Sequence, residues 1–187
     1  MTDMSDHETF VTPKFAQPYW AKHAYEVLVE TAGRYNAVIT YSELAEEVQR
    51  RSSLRTKAQM RNWIGALLAD LVKVNHVRNE PPLASLVVRK DDGQVGAGYD
   101  EALRVAGEAP ITDPLERENS AAAARLECYR HWGADVPADA VPTLTAKARV
   151  VRASTPRATA ATEARRGAVC PTCFMEMPVS GPCPNCA

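Results

Sequence analysis

Four cysteines near the C-terminal end of the sequence, Cys170, Cys173, Cys183 and Cys186, form two Cys-x-x-Cys pairs with nine residues between them. Thiolates at this spacing are metal ligands. Each pair spans one edge of a tetrahedron, and the intervening residues allow a short hairpin that brings the pairs together. Pro171 and Pro184 follow the first cysteine of each pair, and Gly181 permits a turn before the second. Four thiolates leave no coordination position for water, so the expected ion is a structural Zn2+ rather than a catalytic one. Iron in a rubredoxin-like or iron–sulfur site uses similar ligands and is the main rival. A redox pair is disfavoured because the βαβ context it needs is missing. The stretch is too short to build a core, so metal binding would supply its folding free energy. Phe174, Met175 and Met177 lie on the hairpin, where they either cover the metal or contact a protein.

A second chemical feature is positive charge. From Arg50 to Arg61 there are five basic residues, Arg50, Arg51, Arg55, Lys57 and Arg61, and no acid. Such a run suits contacts to backbone phosphates, or it is simply a solvated face. Arg89 and Lys90 could reach adjacent phosphates. Catalytic groups are not evident. His7, His23, His76 and His131 have neither ligand spacing nor a nearby nucleophile, and Cys128 falls mid-helix as a small buried side chain. There is no glycine-rich phosphate loop and no paired-carboxylate site, so no small-molecule substrate is expected.

The 187 residues allow one sizeable domain or a smaller one with appendages. A net charge of -1 excludes a uniformly basic, histone-like profile but not local basic patches. No apolar run approaches the roughly 18 residues needed to span a bilayer, and MTDMSDHETF lacks the apolar core of a secretory signal. Clustered rather than scattered cysteines fit a reducing compartment. The expected location is cytoplasmic, nucleoid-associated if DNA is bound.

The elements that would position these groups follow from periodicity and punctuation. Pro18 suits the first turn of a helix running to Ala32, with Gly33 as its stop and Ala24, Val27, Leu28 and Thr31 on one face. NAVITY (36–41) predicts a short strand or extended entry. A second helix then starts with Ser42 or Thr40 as its cap. RRSSLRT (50–56) predicts a polar turn. A third helix is expected from about Lys57 to Val74, capped by Thr56 or Ser53, with Met60, Ile64, Leu67, Leu68 and Leu71 as its buried stripe. Its other face reads Arg61, Asn62, Gly65, Ala66 and Ala69, polar at the start and then unusually small. PPLASLVVRKDDGQVGAGY (81–99) predicts a strand, a tight turn at Asp92–Gly93 and a return strand. Asp113, Pro114 and Glu116 form the cap, first-turn proline and capping-box acid of a helix reaching Trp132 and stopped by Gly133. Leu115, Ala122, Leu126 and Tyr129 are its docking stripe. Residues beyond Gly133 lack periodicity. From Lys147 to Arg166 six basic residues, Lys147, Arg149, Arg152, Arg157, Arg165 and Arg166, stand against Glu163 alone.

The expected architecture is therefore mainly α with small β. It comprises a polar N-terminal segment (1–17), a winged helix-turn-helix domain (18–105), an additional helix (106–133), a basic flexible linker (134–168) and a small four-cysteine zinc ribbon (169–187). Residues 19–103 resemble the C-terminal domain of the O6-alkylguanine-DNA alkyltransferases and the alkyltransferase-like proteins. ITYSELAEEV is similar to that family's threonine-tyrosine-glycine-glutamate helix start, WIGALL to its small-residue stretch, and LVVRKDDGQVGAGY to its valine-valine, aspartate-glycine, glycine-glycine-tyrosine hairpin. The family's reactive proline-cysteine-histidine-arginine is replaced by Leu83, Ala84, Ser85 and Leu86. Alkyl transfer needs an activated thiolate, which this segment cannot supply. The alkyltransferase-like proteins also lack the cysteine, and the resemblance implies retained binding of double-stranded DNA through the minor groove. Tyr41 matches the family's tyrosine. Asn62 stands where the family carries the arginine that fills the space of a flipped base, with Arg61 one position early.

The sequence thus predicts a non-enzymatic DNA-binding protein with a zinc ribbon available for a protein partner. The alternatives are a protein–protein adaptor in a transcription or defence assembly and a sensor of alkylated DNA without repair activity. Elemental analysis of the purified chain should find about one zinc per chain, reduced in Cys173→Ser and Cys186→Ser; iron in its place would favour the rival site.

Overall fold

The computed structural model describes residues 9–154, and these are mainly helical with four two-residue strands. Residues up to Val151 belong to one compact unit. A second unit, Arg152–Ala187, lies outside the described residues except for Arg152–Ser154.

Strand β1 (Thr9–Phe10) precedes helix α1 (Pro13–Ala32). The helix begins five residues before the predicted start. Pro13, not Pro18, occupies the first turn, where its fixed φ fits and its missing N–H leaves no donor unused. Pro18 sits inside the helix and removes one intrahelical donor. The end at Gly33 and the burial of Ala24, Val27, Leu28 and Thr31 agree with the spacing. Residues 9–17 are tied to the body of the fold. β1 pairs in parallel with β3 (Leu54–Arg55), Thr9 opposite Leu54, and Trp20 Nε1 donates to the Leu54 carbonyl at 3.1 Å.

Strand β2 (Ile39–Thr40) leads into helix α2 (Tyr41–Ser52). Thr40 is the cap: its hydroxyl accepts from Glu43 N at 3.2 Å, and its own N–H donates to the Glu43 carboxylate at 2.8 Å. Arg50 and Arg51 belong to the last turn of α2 rather than to a loop, and Ser53 stops the helix in a left-handed conformation at φ 55°.

The third helix starts later than predicted. Thr56 and Ser53 do not cap it. A 3-10 turn covers Met60–Asn62, and helix α3 runs Ile64–Val77. Trp63 causes the break. Its ring packs on Trp20 at 4.4 Å, and its φ of -138° is not helical. The indole N–H of Trp63 is buried and has no acceptor among the described residues. Ile64, Leu67, Leu68 and Leu71 form the buried stripe as expected, whereas Met60 is half-buried. α3 ends with Asn79 left-handed at φ 54° and Glu80 N donating back to the Asn75 carbonyl at 2.9 Å.

The predicted hairpin forms only in part. Leu83–Leu86 is a buried 3-10 turn, followed by β4 (Val87–Val88), which pairs in parallel with β2, Ile39 opposite Val87. The tight turn is present, with Gly93 at φ 69° and Arg89 N bonded to the Gln94 carbonyl at 2.8 Å. No return strand follows. Two of the N–H groups it needs are taken by side chains: Val95 N donates to Glu118 at 2.8 Å, and Gly96 N to the Tyr41 hydroxyl at 3.3 Å. A 3-10 turn (Ala97–Tyr99) and helix α4 (Asp100–Val105) complete the region.

Helix α5 (Pro114–His131) is capped by Asp113, whose carboxylate accepts from Glu116 N at 2.8 Å. Ala122, Leu126 and Tyr129 are buried, but Leu115 is exposed. The 134–168 stretch is not uniformly a linker: helix α6 spans Ala146–Ser154. Thr145 donates to the Gly93 carbonyl at 2.7 Å, and Lys147 Nζ bonds the Lys90 carbonyl. Two apolar clusters fill the interior. The larger joins α1, α2 and α3 to Leu83, Leu86 and Tyr129, and the other gathers Val72, Val88, Val95, Tyr99 and Leu103.

Two glycines should respond oppositely to alanine. A Cβ on Gly93 would fall 2.7 Å from Thr145 Oγ1 in a left-handed backbone, whereas nothing lies within 4 Å of one on Gly65. Gly93→Ala should lose about 1–2 kcal/mol or more from the backbone alone, and Gly65→Ala should be neutral or gain up to about 1 kcal/mol. Urea unfolding checks this; equal midpoints would contradict it.

Candidate nucleic-acid interface

The residues expected to meet DNA are spread over the end of α2, the connection to α3 and the 89–94 turn. Their environments differ. Arg50 and Arg51 are neutralised in place: Arg50 grips Glu47 through Nε and Nη2 at 2.8 and 2.7 Å. Arg51 bonds Glu47 at 2.7 Å and reaches across to Glu30, both oxygens at 2.7 Å. The Glu47 carboxyl is held down to about 2, first by its bond from Arg50 and then by that from Arg51. Glu30 is lowered, chiefly by the Arg51 hydrogen bond. Arg55 is half-buried on β3 beside Phe10. Lys57 is exposed, its ammonium 5.4 Å from the centre of the Phe10 ring.

Arg61 and Asn62 are exposed in the 3-10 turn, and Gly65 and Ala66 follow, exposed, in the first turn of α3; Ala69 is half-buried. The face read from the sequence therefore exists, with buried Ile64, Leu67 and Leu68 fixing its outward direction. Tyr41 has a bracing role: its hydroxyl holds Gly96 N, and burial pushes its phenol up. On the turn, Arg89 pairs with Asp92, Nε donating to Oδ1 at 3.1 Å. Lys90 is exposed, and its carbonyl receives Lys147. The sequence reading missed Lys147 as a companion of Lys90. The available signal was Thr145, whose hydroxyl accepts from Ala148 N at 3.1 Å and so caps the start of α6.

Leu83, Ala84, Ser85 and Leu86, aligned with the reactive segment of the resembled family, are all buried. The fold brings a thiol to this segment, which the sequence order hides: Cys128 Sγ lies 3.7 Å from Ser85 Oγ and 3.7 Å from the Pro82 carbonyl. Burial pushes that thiol up to about 12, so it stays protonated and packs as a small apolar group. Cys170, Cys173, Cys183 and Cys186 lie outside the described residues. Among the described residues no cluster of three or more His, Cys, Asp or Glu could hold a metal, and no helix is long and apolar enough to cross a membrane. No protein-family model, curated protein or solved structure matches the chain.

A carboxylate held below its unfolded value adds stability above that value and loses it as pH falls toward the folded one. For Glu47 the window runs from 4.5 down to about 2. Glu47→Gln should therefore lose stability less steeply than the parent between about pH 5 and about pH 3. Urea unfolding at both pH values measures this, and identical slopes would count against the pairing.

Proposed function

We propose that the chain is a non-enzymatic DNA-binding protein that docks on duplex DNA through Lys57, Arg61, Asn62, Gly65 and Ala66. Lys90 on the 89–94 turn and Lys147 on α6 add contacts to the DNA backbone. In this reading residues 18–105 act as an alkyltransferase-like winged helix-turn-helix in the cytoplasm. Cys170, Cys173, Cys183 and Cys186 hold a structural zinc ribbon that recruits a protein partner. The observation that carries the reading is the open start of α3, where two polar side chains capable of phosphate or base contact precede an exposed glycine and alanine. Alanine in place of Gly65 would favour the helix by up to about 1 kcal/mol, so the bare backbone here runs against local preference. It lets a phosphate or groove wall approach closely.

A protein-adaptor reading has its own observation. Phe15 and Tyr19 on α1 are 57% and 54% exposed, their rings tilted at 34° with centroids 5.9 Å apart. Exposed, rigid aromatic pairs are frequent anchors of protein interfaces. A pull-down that needs Phe15 and Tyr19, from a sample free of nucleic acid, would favour it.

Fluorescence anisotropy with duplex DNA across about 50–200 mM salt tests the main reading. Lys57→Gln and Arg61→Gln should each lower the logarithmic salt slope by about 1. Arg50→Gln and Arg51→Gln should change it less, because Glu47 and Glu30 already compensate those charges. Binding that is absent or salt-independent would end the proposal. A duplex containing O6-alkylguanine forms a separate arm; tighter binding there than to plain duplex would assign the damage-sensor role.

A further inference from the structure

A cavity of about 80 Å3 lies between the loop after α1, helix α5 and the segment leading into α6. Its walls include Tyr35, Asn36, Arg125, Tyr129, Thr143 and Arg149, and no acidic side chain is among the lining residues. The volume admits a few water molecules, and hence one small anion. Arg125 is 2% exposed. Its Nη1 donates to the Ser85 carbonyl at 3.1 Å and its Nη2 to Glu118, but Nε has no hydrogen-bond partner among the described residues. Arg149 lines the same cavity from the first turn of α6, and its guanidinium has no partner among the described residues. The start of α6 adds the positive end of a helix dipole. Tyr35 is set by an edge-on contact with the Tyr129 ring at 5.6 Å. Asn36 is held left-handed at φ 63°.

Glu118 balances Arg125, so the uncompensated charge at the cavity is that of Arg149. Around it stand the Asn36 amide and the Tyr35 and Thr143 hydroxyls, all able to donate, whereas the Tyr129 hydroxyl is spent on the Ala37 carbonyl at 2.7 Å. A donor-rich, acid-free recess with one unbalanced guanidinium favours an anion whose several oxygens accept at once.

We propose that this cavity binds a tetrahedral oxyanion of phosphate size, either free phosphate or the phosphate of a small phosphomonoester. The site shares the first turn of α6 with Lys147 of the proposed DNA face but does not rest on that assignment. Its recognition is local: the guanidinium of Arg149 and the Tyr35 hydroxyl supply the strongest new contacts, while Arg125 forms the fixed inner wall.

The test uses the full chain with sodium phosphate or glycerol phosphate, ionic strength being held constant with sodium chloride. Thermal unfolding and titration calorimetry supply the two readouts. The expected result is a saturable rise in Tm beyond the chloride control, with affinity at least about tenfold weaker in Arg149→Gln. Lys14→Gln, which removes one charge elsewhere on the surface, should bind as the parent does. Tyr35→Phe should weaken binding by a smaller factor while remaining folded. Equal affinity for the two ligands assigns the site to the phosphate group alone, and a preference for glycerol phosphate assigns it to a phosphomonoester. A response no greater than that to chloride, or an unchanged response in Arg149→Gln, would overturn the proposal.

Discussion

The buried pair of Glu118 and Arg125 is the constraint on which the packing of α5 depends. Their side chains are 0% and 3% exposed. Glu118 also receives the Val95 N–H, and Arg125 also reaches the Ser85 carbonyl. One ion pair thereby fixes three segments that are far apart in sequence: α5, the buried 83–86 turn and the chain leaving the 89–94 turn. Desolvating two charges is expensive, and replacing such a pair by apolar residues is often neutral or stabilising. Its value lies in specification. A rotated or shifted α5 would leave a carboxylate or guanidinium buried alone, costing about 3–5 kcal/mol, so alternative packings of that helix are strongly disfavoured.

That network also explains what the sequence could and could not reveal. Where elements are announced by local chemistry, the reading succeeded. Thr40 with Glu43 marks α2, Asp113 with Pro114 marks α5, and the three-and-four spacing of Ile64, Leu67, Leu68 and Leu71 marks α3. The hairpin failed because its return donors are captured by Glu118 and Tyr41, 23 and 55 residues away. The start of α3 failed because the Trp63–Trp20 contact, absent from any local pattern, overrides helical preference there.

The candidate interface divides along the same line. The outward face of Arg61, Asn62, Gly65 and Ala66 was legible because period and residue size expose it in the sequence. The compensation of Arg51 by Glu30 was not, since Glu30 lies on another helix; the pairing of Glu47 with Arg50 and Arg51, at three- and four-residue spacing, was missed because 50–56 read as a turn while α2 runs on to Ser52. Counting basic residues without their helical neighbours therefore overstates the positive charge available. The chain's net charge of -1 conceals an uneven distribution, with acids gathered against the end of α2 and the start of α3 left open.

The two parallel ladders carry a kinetic consequence. Each joins only two residues to two, across more than forty intervening positions. Parallel pairs this short add few hydrogen bonds, yet they require large loops to close first. Helices α1 and α2, built on local contacts, can form early, whereas β2 must wait for β4 and the N-terminal strand for β3. Loop closure thus makes the docking of β4, and with it the Lys90 turn, onto β2 a later step than formation of the helices around it.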